Sequence, residues 1–225
     1  MRDSRGQTMT EPDPNDAWQE APRSNSRSLA AWLVGINVAV FLAEILVRKY
    51  TRWPLTHWCA LSVPGIRSGY LWQFLTYQFL HGGILHLVLN CWGLYVFGQE
   101  IEDRLGRFRF LKLYLFSGIV GGLVQVTCAL LAPNLFGSAV VGASAGVFGL
   151  VAAYAALFPE RQLTLLLFFV IPVTLRAKTM LLWGVILALG GALFPFDHVA
   201  HATHLGGMLG GLISLHPMRG KGPCA

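Results

Sequence analysis

After residue 28 the chain consists largely of apolar segments, each about as long as a membrane span. A transmembrane helix needs about 20 predominantly apolar residues, and the candidate segments cover residues 29–47, 84–101, 110–131, 140–158, 180–194 and 200–216. The bilayer interior offers the backbone no hydrogen-bond partners, so segments of this kind span it as helices or closed barrels. We therefore predict an all-α, polytopic bundle of six transmembrane helices.

Composition supports one membrane domain flanked by two polar tails. The 225 residues are 54% hydrophobic and 12% charged, whereas soluble domains carry about 25% charged residues. Residues 1–28 are polar and rich in proline and arginine without apolar periodicity, which predicts a disordered tail. Residues 29–216 form the predicted membrane domain, and residues 217–225 a short second tail.

Two connecting segments stand out between the spans. Residues 48–83 mix basic residues with aromatic ones and suit the membrane interface, which predicts a long first outer loop. Its main aromatic residues are Trp53, Trp58, Tyr70 and Trp72. Residues 163–175 are apolar but short, and Pro172 interrupts them, which favours a surface-lying loop over a further span.

Basic residues predict the orientation of the bundle. Six spans place both termini on one side, and that side receives most of the lysines and arginines, so we expect a multi-pass protein of a bacterial plasma membrane with a cytoplasmic N-terminus. The exceptions lie in the first loop: Arg48, Lys49, Arg52 and Arg67. The net charge of +6 does not indicate nucleic-acid binding, because the basic residues form no single stripe.

Polar residues at predicted membrane depth are the candidate functional groups. Ser144 lies in the run Gly-Ala-Ser-Ala-Gly, and His204 opens the last span. His86 and Asn90 share a helix face in the second span, since they are four residues apart. Glycines that permit close helix approach occur in the fourth and sixth spans at Gly142, Gly146, Gly206, Gly207, Gly210 and Gly211. This spacing predicts that the two helices touch and bring Ser144 within hydrogen-bond reach of His204.

Such a pair is able to act as a minimal serine hydrolase. His204 takes the hydroxyl proton while Ser144 attacks a carbonyl carbon. The side chains of His86 and Asn90, together with the Ser144 N–H, are candidates for receiving the oxyanion, each donor contributing about 3 to 4 kcal/mol. The carboxylate nearest to His204 in sequence is Asp197, and we predict a dyad rather than a triad.

The same residues have other interpretations. The serine and glycine motif also suits helix packing, and His86 and Asn90 also suit hydrogen bonding between helices. His198, His201 and His204 recur every third residue as in some zinc sites, but no HExxH motif occurs and helical geometry splays them. The four cysteines form no CxxC pair, and we predict neither a metal nor another cofactor. A soluble α/β-hydrolase requires a strand before the serine, which the apolar spans disfavour.

Taken together, the motifs resemble those of the rhomboid family of intramembrane serine proteases. HGGILHLVLN is similar to the family pattern HxxxxHxxxN, GASAG to its GxSG nucleophile motif, and THLGG to its histidine-bearing HxxG motif. Gly98, Glu102 and Gly106 are similar to its GxxxExxxG pattern. The resemblance covers roughly residues 30 to 216.

The resemblance implies a role for each matching residue. Ser144 is the implied nucleophile, His204 the general base, and His86 and Asn90 the oxyanion-hole side chains. Three residues have implied supporting roles: His81 in the loop, Gly142 before the nucleophile, and Phe148 stacked on the catalytic imidazole. The implied partners are the lipid bilayer and transmembrane substrates with a helix-destabilised segment and small residues near the scissile bond. The oligomeric state stays open.

Two positions depart from the family pattern. Ala145 stands where a glycine is expected after the serine, and its methyl group could crowd the oxyanion hole. Gln73 stands where an arginine is expected after Trp72, which could alter anchoring of the first loop. Family members without the serine or histidine bind clients without cutting them, so a client-binding pseudoprotease is the alternative function.

Overall fold

The structure is a computed structural model that describes residues 28–51, 53–137, 139–167, 171–194 and 199–216. The predictions for residues 1–27 and 217–225 therefore lie outside the described residues. In chain order the elements are α1 (Leu29–Tyr50), α2 (Leu55–Cys59), α3 (Val63–Arg67), α4 (Gln73–Thr76), a 3-10 turn (Tyr77–Phe79), α5 (Ile84–Leu105), α6 (Arg107–Leu131), α7 (Pro133–Phe136), α8 (Ser144–Leu157), β1 (Gln162–Leu167), β2 (Ile171–Arg176), α9 (Ala177–Leu193) and α10 (His201–Leu215).

The six longer helices α1, α5, α6, α8, α9 and α10 overlap the six predicted spans, although α8 begins four residues later than predicted. By length and composition, α1 and α6 are each able to cross a membrane, and α4 with the 3-10 turn and α5 form a third candidate bent by 99°. Helices α8 and α9 are shorter and apolar. The outward faces of these helices expose many large apolar side chains, as expected for a lipid-facing surface. The six-span count and its orientation stay predictions.

The GxxxExxxG pattern joins α1, α5 and α6 at one end of the bundle. A Cβ at Gly98 would lie 3.0 Å from the Ala30 Cβ, so glycine allows α1 to cross α5 closely. Glu102 caps α1, accepting hydrogen bonds from the Leu29 and Ala30 backbone N–H groups at 2.9 and 3.0 Å. Gly106 turns the chain into α6 with φ of +83°, a conformation that favours glycine.

Helix α10 packs closely between α6 and α8. Glycines on two faces of α10 make this possible: Gly206 and Gly210 contact the backbone of α6, while Gly207 and Gly211 contact the backbone of α8. Sequence reasoning predicted the approach to the fourth span but not the equally close approach to α6. Next to this seam, α5, α6 and α8 bury large apolar side chains, including Leu94, Phe110 and Leu150.

Between α8 and α9 the structure forms a β-hairpin rather than the predicted loop. Strands β1 and β2 pair antiparallel, with Thr164 opposite Thr174 and their hydroxyl oxygens 3.0 Å apart. Pro172 is accommodated because both strands of a two-stranded sheet are edges. At the hairpin base, Lys178 donates a hydrogen bond to Glu160, which lowers the pKa of this exposed carboxyl below its usual value.

Candidate active site

Ser144 is the first residue of α8. The predicted fourth span began at Val140, but Val140 instead pairs with Leu61 of the first loop in a short β-bridge. Helix α8 has 14 residues and is about 21 Å long at 1.5 Å per residue, whereas the bilayer core is about 30 Å thick. The helix is therefore shorter than the bilayer core, and the depth of Ser144 in the membrane stays a prediction.

Gly142 shapes the backbone that leads into Ser144. Its φ is +131°, and a Cβ at this position would lie 2.7 Å from His86 Cε1. Its backbone N–H donates to the Tyr77 carbonyl at 2.9 Å, and the Tyr77 hydroxyl in turn donates to the Gly118 carbonyl at 2.6 Å. Only glycine fits both the dihedral angle and the space, and the result is close contact between His86 and the Ser144 turn.

His204 occupies the first turn of α10 and faces Ser144. The glycine contacts set this arrangement, because a Cβ at Gly207 would lie 2.2 Å from the Ala145 carbonyl oxygen. His204 Nε2 and Ser144 Oγ are 2.9 Å apart, within hydrogen-bond distance. The two side chains thus meet as the glycine spacing predicts, although they are 60 positions apart in sequence.

The Phe148 ring packs against one face of the His204 imidazole. Phe148 lies one turn after Ser144 on α8, and its ring stacks on the His204 ring with centroids 4.3 Å apart and planes inclined by 28°. The aromatic stacking that the family resemblance implied is therefore present. Because the ring packs on one face of the imidazole, it restricts the orientation in which Nε2 meets the hydroxyl.

The remaining predicted site residues lie on the α5 side of Ser144. The His86 ring is next to Gly142 and makes an edge contact with the His81 ring, with centroids 5.2 Å apart. Asn90 is buried, and its amide donates one hydrogen bond to the His86 carbonyl at 2.8 Å. An amide has two N–H donors, so one remains for a further acceptor. The catalytic roles of these residues stay predictions.

Sequence reasoning missed a buried polar link beside His204. The Thr203 hydroxyl donates to Gln125 Oε1 at 3.0 Å, and Gln125 Nε2 donates to the Phe136 carbonyl at 3.1 Å. Both side chains are buried, so the residue before the imidazole is held from α6. Gln125 was detectable in the sequence as a polar residue within a predicted span. Which residues it binds depends on the rotation of α6 about its axis, which the sequence does not show.

The structure accounts for both departures from the family pattern. The Ala145 methyl group packs towards α6, where a Cβ at Gly121 would lie 2.7 Å from it. Gly121 therefore provides space for the methyl group on the α6 side, and its effect on the proposed oxyanion hole stays a prediction. Gln73 is fully buried; it accepts from the Ser62 N–H at 3.1 Å and donates to the His57 carbonyl at 3.0 Å. A neutral side chain thus anchors the first loop.

The alternative metal site finds no support in the described part of the chain. There, no group of three or more His, Cys, Asp and Glu side chains is arranged to hold a metal ion. His201 lies against α9, where a Cβ at Gly191 would overlap its ring. Asp197 and His198, which entered the triad and metal hypotheses, lie outside the described residues.

Comparisons with known proteins agree with these motifs. The family model for the Rhomboid domain matches residues 68–219. Rhomboid protein 1, mitochondrial, of Saccharomyces cerevisiae is 29% identical over 191 residues, which cover 85% of this chain and 53% of the yeast protein. The putative rhomboid protease YdcA of Bacillus subtilis is 36% identical over 91 residues, covering 40% of this chain and 43% of that protein.

A third relative is rhomboid-like protease 3 of Toxoplasma gondii, 37% identical over 97 residues that cover 43% of this chain and 35% of that protein. The chain thus spans about half the length, or less, of these relatives. The family match includes the segments that carry His86, Ser144 and His204. On this evidence the chain belongs to the rhomboid family and is a multi-pass membrane protein.

Proposed function

We propose that the chain is an intramembrane serine endopeptidase that cuts transmembrane segments with a Ser144–His204 dyad. The observation that carries this proposal is the 2.9 Å separation between His204 Nε2 and Ser144 Oγ. Stacking of Phe148 on the imidazole supports it, because the ring holds Nε2 towards the hydroxyl. The position of Ser144 at the start of a short helix supports chemistry below the membrane surface.

In the first half of the reaction, His204 is the base and then the acid. Nε2 accepts the Ser144 hydroxyl proton while Oγ bonds to the scissile carbonyl carbon, forming a tetrahedral oxyanion. His204 then gives the proton to the leaving amine nitrogen as the C–N bond breaks. The products of this half are the amine fragment and an ester between the other fragment and Ser144.

The oxyanion requires hydrogen-bond donors, and hydrolysis of the ester requires water. The first backbone N–H groups of a helix lack intrahelical acceptors and lie at the positive end of its dipole, so the start of α8 suits an oxyanion. His86, beside Gly142, and the remaining Asn90 N–H supply side-chain donors. Water, deprotonated by His204, then attacks the ester and regenerates the Ser144 hydroxyl.

The proposed partners are the lipid bilayer and other membrane proteins. Substrates are transmembrane segments that unwind locally and carry small residues at the cut, as the family resemblance implies. The relatives include two proteins named as mitochondrial, from yeast and Danio rerio, as well as a Bacillus protein, and the mitochondrial names weigh against the predicted bacterial plasma membrane. A bacterial plasma membrane with a cytoplasmic N-terminus stays a prediction.

Labelling with a fluorophosphonate probe in detergent tests this proposal. The probe reacts with serine hydroxyls that an adjacent base activates. We expect the wild type to be labelled and both Ser144→Ala and His204→Ala to be unlabelled. Circular dichroism and thermal unfolding of the three proteins control for folding.

The second readout is cleavage of a transmembrane substrate in proteoliposomes. Loss of cleavage in both variants, with wild-type folding, supports the dyad. A folded wild type that neither reacts with the probe nor cleaves would overturn the proposal. Retention of a transmembrane client by that inactive protein would favour the client-binding alternative.

A further inference from the structure

A carboxylate is buried in α1, facing the loop before α5. Glu44 is 7% exposed, whereas other residues in the same part of α1, including Leu42, Ile45 and Leu46, face outward. A charged side chain within a membrane helix is costly and usually has a functional partner. Its partner therefore indicates what the carboxylate does.

That partner is the loop that carries His81. Glu44 Oε2 accepts a hydrogen bond from the His81 backbone N–H at 3.1 Å. His81 lies in the short connection between the 3-10 turn and α5, and its ring is buried, with Nδ1 3.2 Å from the Phe79 carbonyl oxygen. A buried backbone N–H needs an acceptor, and Glu44 supplies it from another helix.

Contacts continue from this loop to the nucleophile. The His81 ring makes an edge contact with the His86 ring at a centroid distance of 5.2 Å. The His86 ring in turn lies against Gly142, two residues before Ser144. A displacement of the His81 backbone would therefore move the His86 ring relative to the start of α8.

A cavity explains how the carboxylate is tolerated. The cavity measures about 190 Å³, and Glu44 lines it together with Arg48 of α1, with Thr51 just after that helix, and with Trp53 and Thr56 of the first loop. Arg48 follows Glu44 by one helical turn, the spacing at which opposite charges attract. Glu44 is thus able to meet water and a basic residue on one side while it binds the loop on the other.

We propose that Glu44 is a positioning residue that holds the His81 loop, so that His86 stays against Gly142 beside Ser144. It acts through His81 and His86 and does not touch the reacting atoms. The inference rests on the proposed protease function. It adds a contribution from α1 to a site whose other residues lie on α5, α8 and α10 and in the loops before α5 and α8.

The test compares Glu44→Ala and Glu44→Gln in proteoliposomes containing a transmembrane substrate. We expect Glu44→Ala to lower kcat about 10- to 100-fold, as for a misplaced catalytic group, with little change in KM. Glu44→Gln keeps an acceptor oxygen for the His81 N–H, so we expect it to recover most of kcat. Amide hydrogen exchange of residues 80–86 should be faster in Glu44→Ala than in Glu44→Gln.

Asn37→Ala is the matched control on α1. Asn37 is also buried, and its amide donates to the Leu33 carbonyl of its own helix at 2.8 Å. We expect this variant to lower thermal stability while leaving kcat and exchange in residues 80–86 unchanged.

Three outcomes would overturn the inference. An active wild type with unchanged kcat in Glu44→Ala refutes it and leaves the protease proposal standing. Equal losses of kcat in Asn37→Ala and Glu44→Ala would show that Glu44 contributes to packing of α1 and does not position the His81 loop specifically. A folded wild type that neither reacts with the fluorophosphonate nor cleaves the substrate refutes both proposals.

Discussion

At the residue scale, the imidazole of His204 is held by contacts from two helices. Ser144 and Phe148 of α8 meet its nitrogen and its face, and Thr203 is tied to Gln125 of α6. Ser144 and Phe148 are one helical turn apart, so both were available to sequence reasoning once the helix was predicted. The Thr203–Gln125 bond was not, because it depends on how α6 rotates about its own axis.

Replacing Phe148 tests the stacking contact. We expect Phe148→Ala to lower kcat about two- to tenfold, since an aromatic pair contributes about 0.5 to 1.5 kcal/mol and about 1.4 kcal/mol is tenfold in rate. Phe148→Tyr keeps the ring and should retain most of kcat. The measurement is kcat for a transmembrane substrate. Equal rates for wild type and Phe148→Ala would show that stacking does not orient the imidazole.

At the element scale, glycine positions decide which helices touch. Gly207 and Gly211 admit the backbone of α8, and Gly206 and Gly210 admit that of α6. The glycine pattern predicted close packing of the last span, but glycines four apart do not specify how many neighbours a helix has. The hairpin shows a related limit, because a short apolar run suits a loop or a strand until its pairing partner is known.

Gly207→Ala tests the seam between α8 and α10. Its Cβ would lie 2.2 Å from the Ala145 carbonyl oxygen, so the helices must separate and carry Ser144 away from His204. We expect fluorophosphonate labelling to slow about 100-fold, as for a displacement of about 1 Å, and thermal stability to fall. In Gly184→Ala the nearest atom is the flexible Met208 Cε at 3.4 Å, so this control should label normally. If Gly207→Ala and Gly184→Ala are labelled at similar rates, the close contact of α8 with α10 does not position Ser144 against His204.

At the scale of the whole molecule, the bundle exposes many large apolar side chains outward, while His204 and His86 converge beside the start of α8. The first loop is joined to the segment before Ser144 through the Leu61–Val140 bridge. Half-burial of Ser144 is compatible with water reaching its hydroxyl, as hydrolysis requires.

Cysteine accessibility tests whether water reaches Ser144. In a variant without native cysteines, we expect Ser144→Cys to react quickly with a small charged methanethiosulfonate reagent in liposomes. Leu187→Cys is the control, since Leu187 of α9 is 67% exposed on the outer surface of the bundle and would face lipid, where a thiolate is disfavoured. Equally slow reactions at both positions would argue against a hydrated cavity.

The sequence by itself determined the class of this protein and the positions of its helices. Hydropathy is a local property, and the bilayer leaves apolar segments few conformations, so the six longer helices overlap the predicted spans. The motifs around His86, Ser144 and His204 indicated the family and predicted the candidate dyad. Only the tertiary structure decided how these elements meet: the α6 contacts of α10, the hairpin, the space at Gly121 for Ala145, and the bond from Glu44 to His81. Each depends on helix rotation or strand pairing between distant segments, which no local pattern encodes.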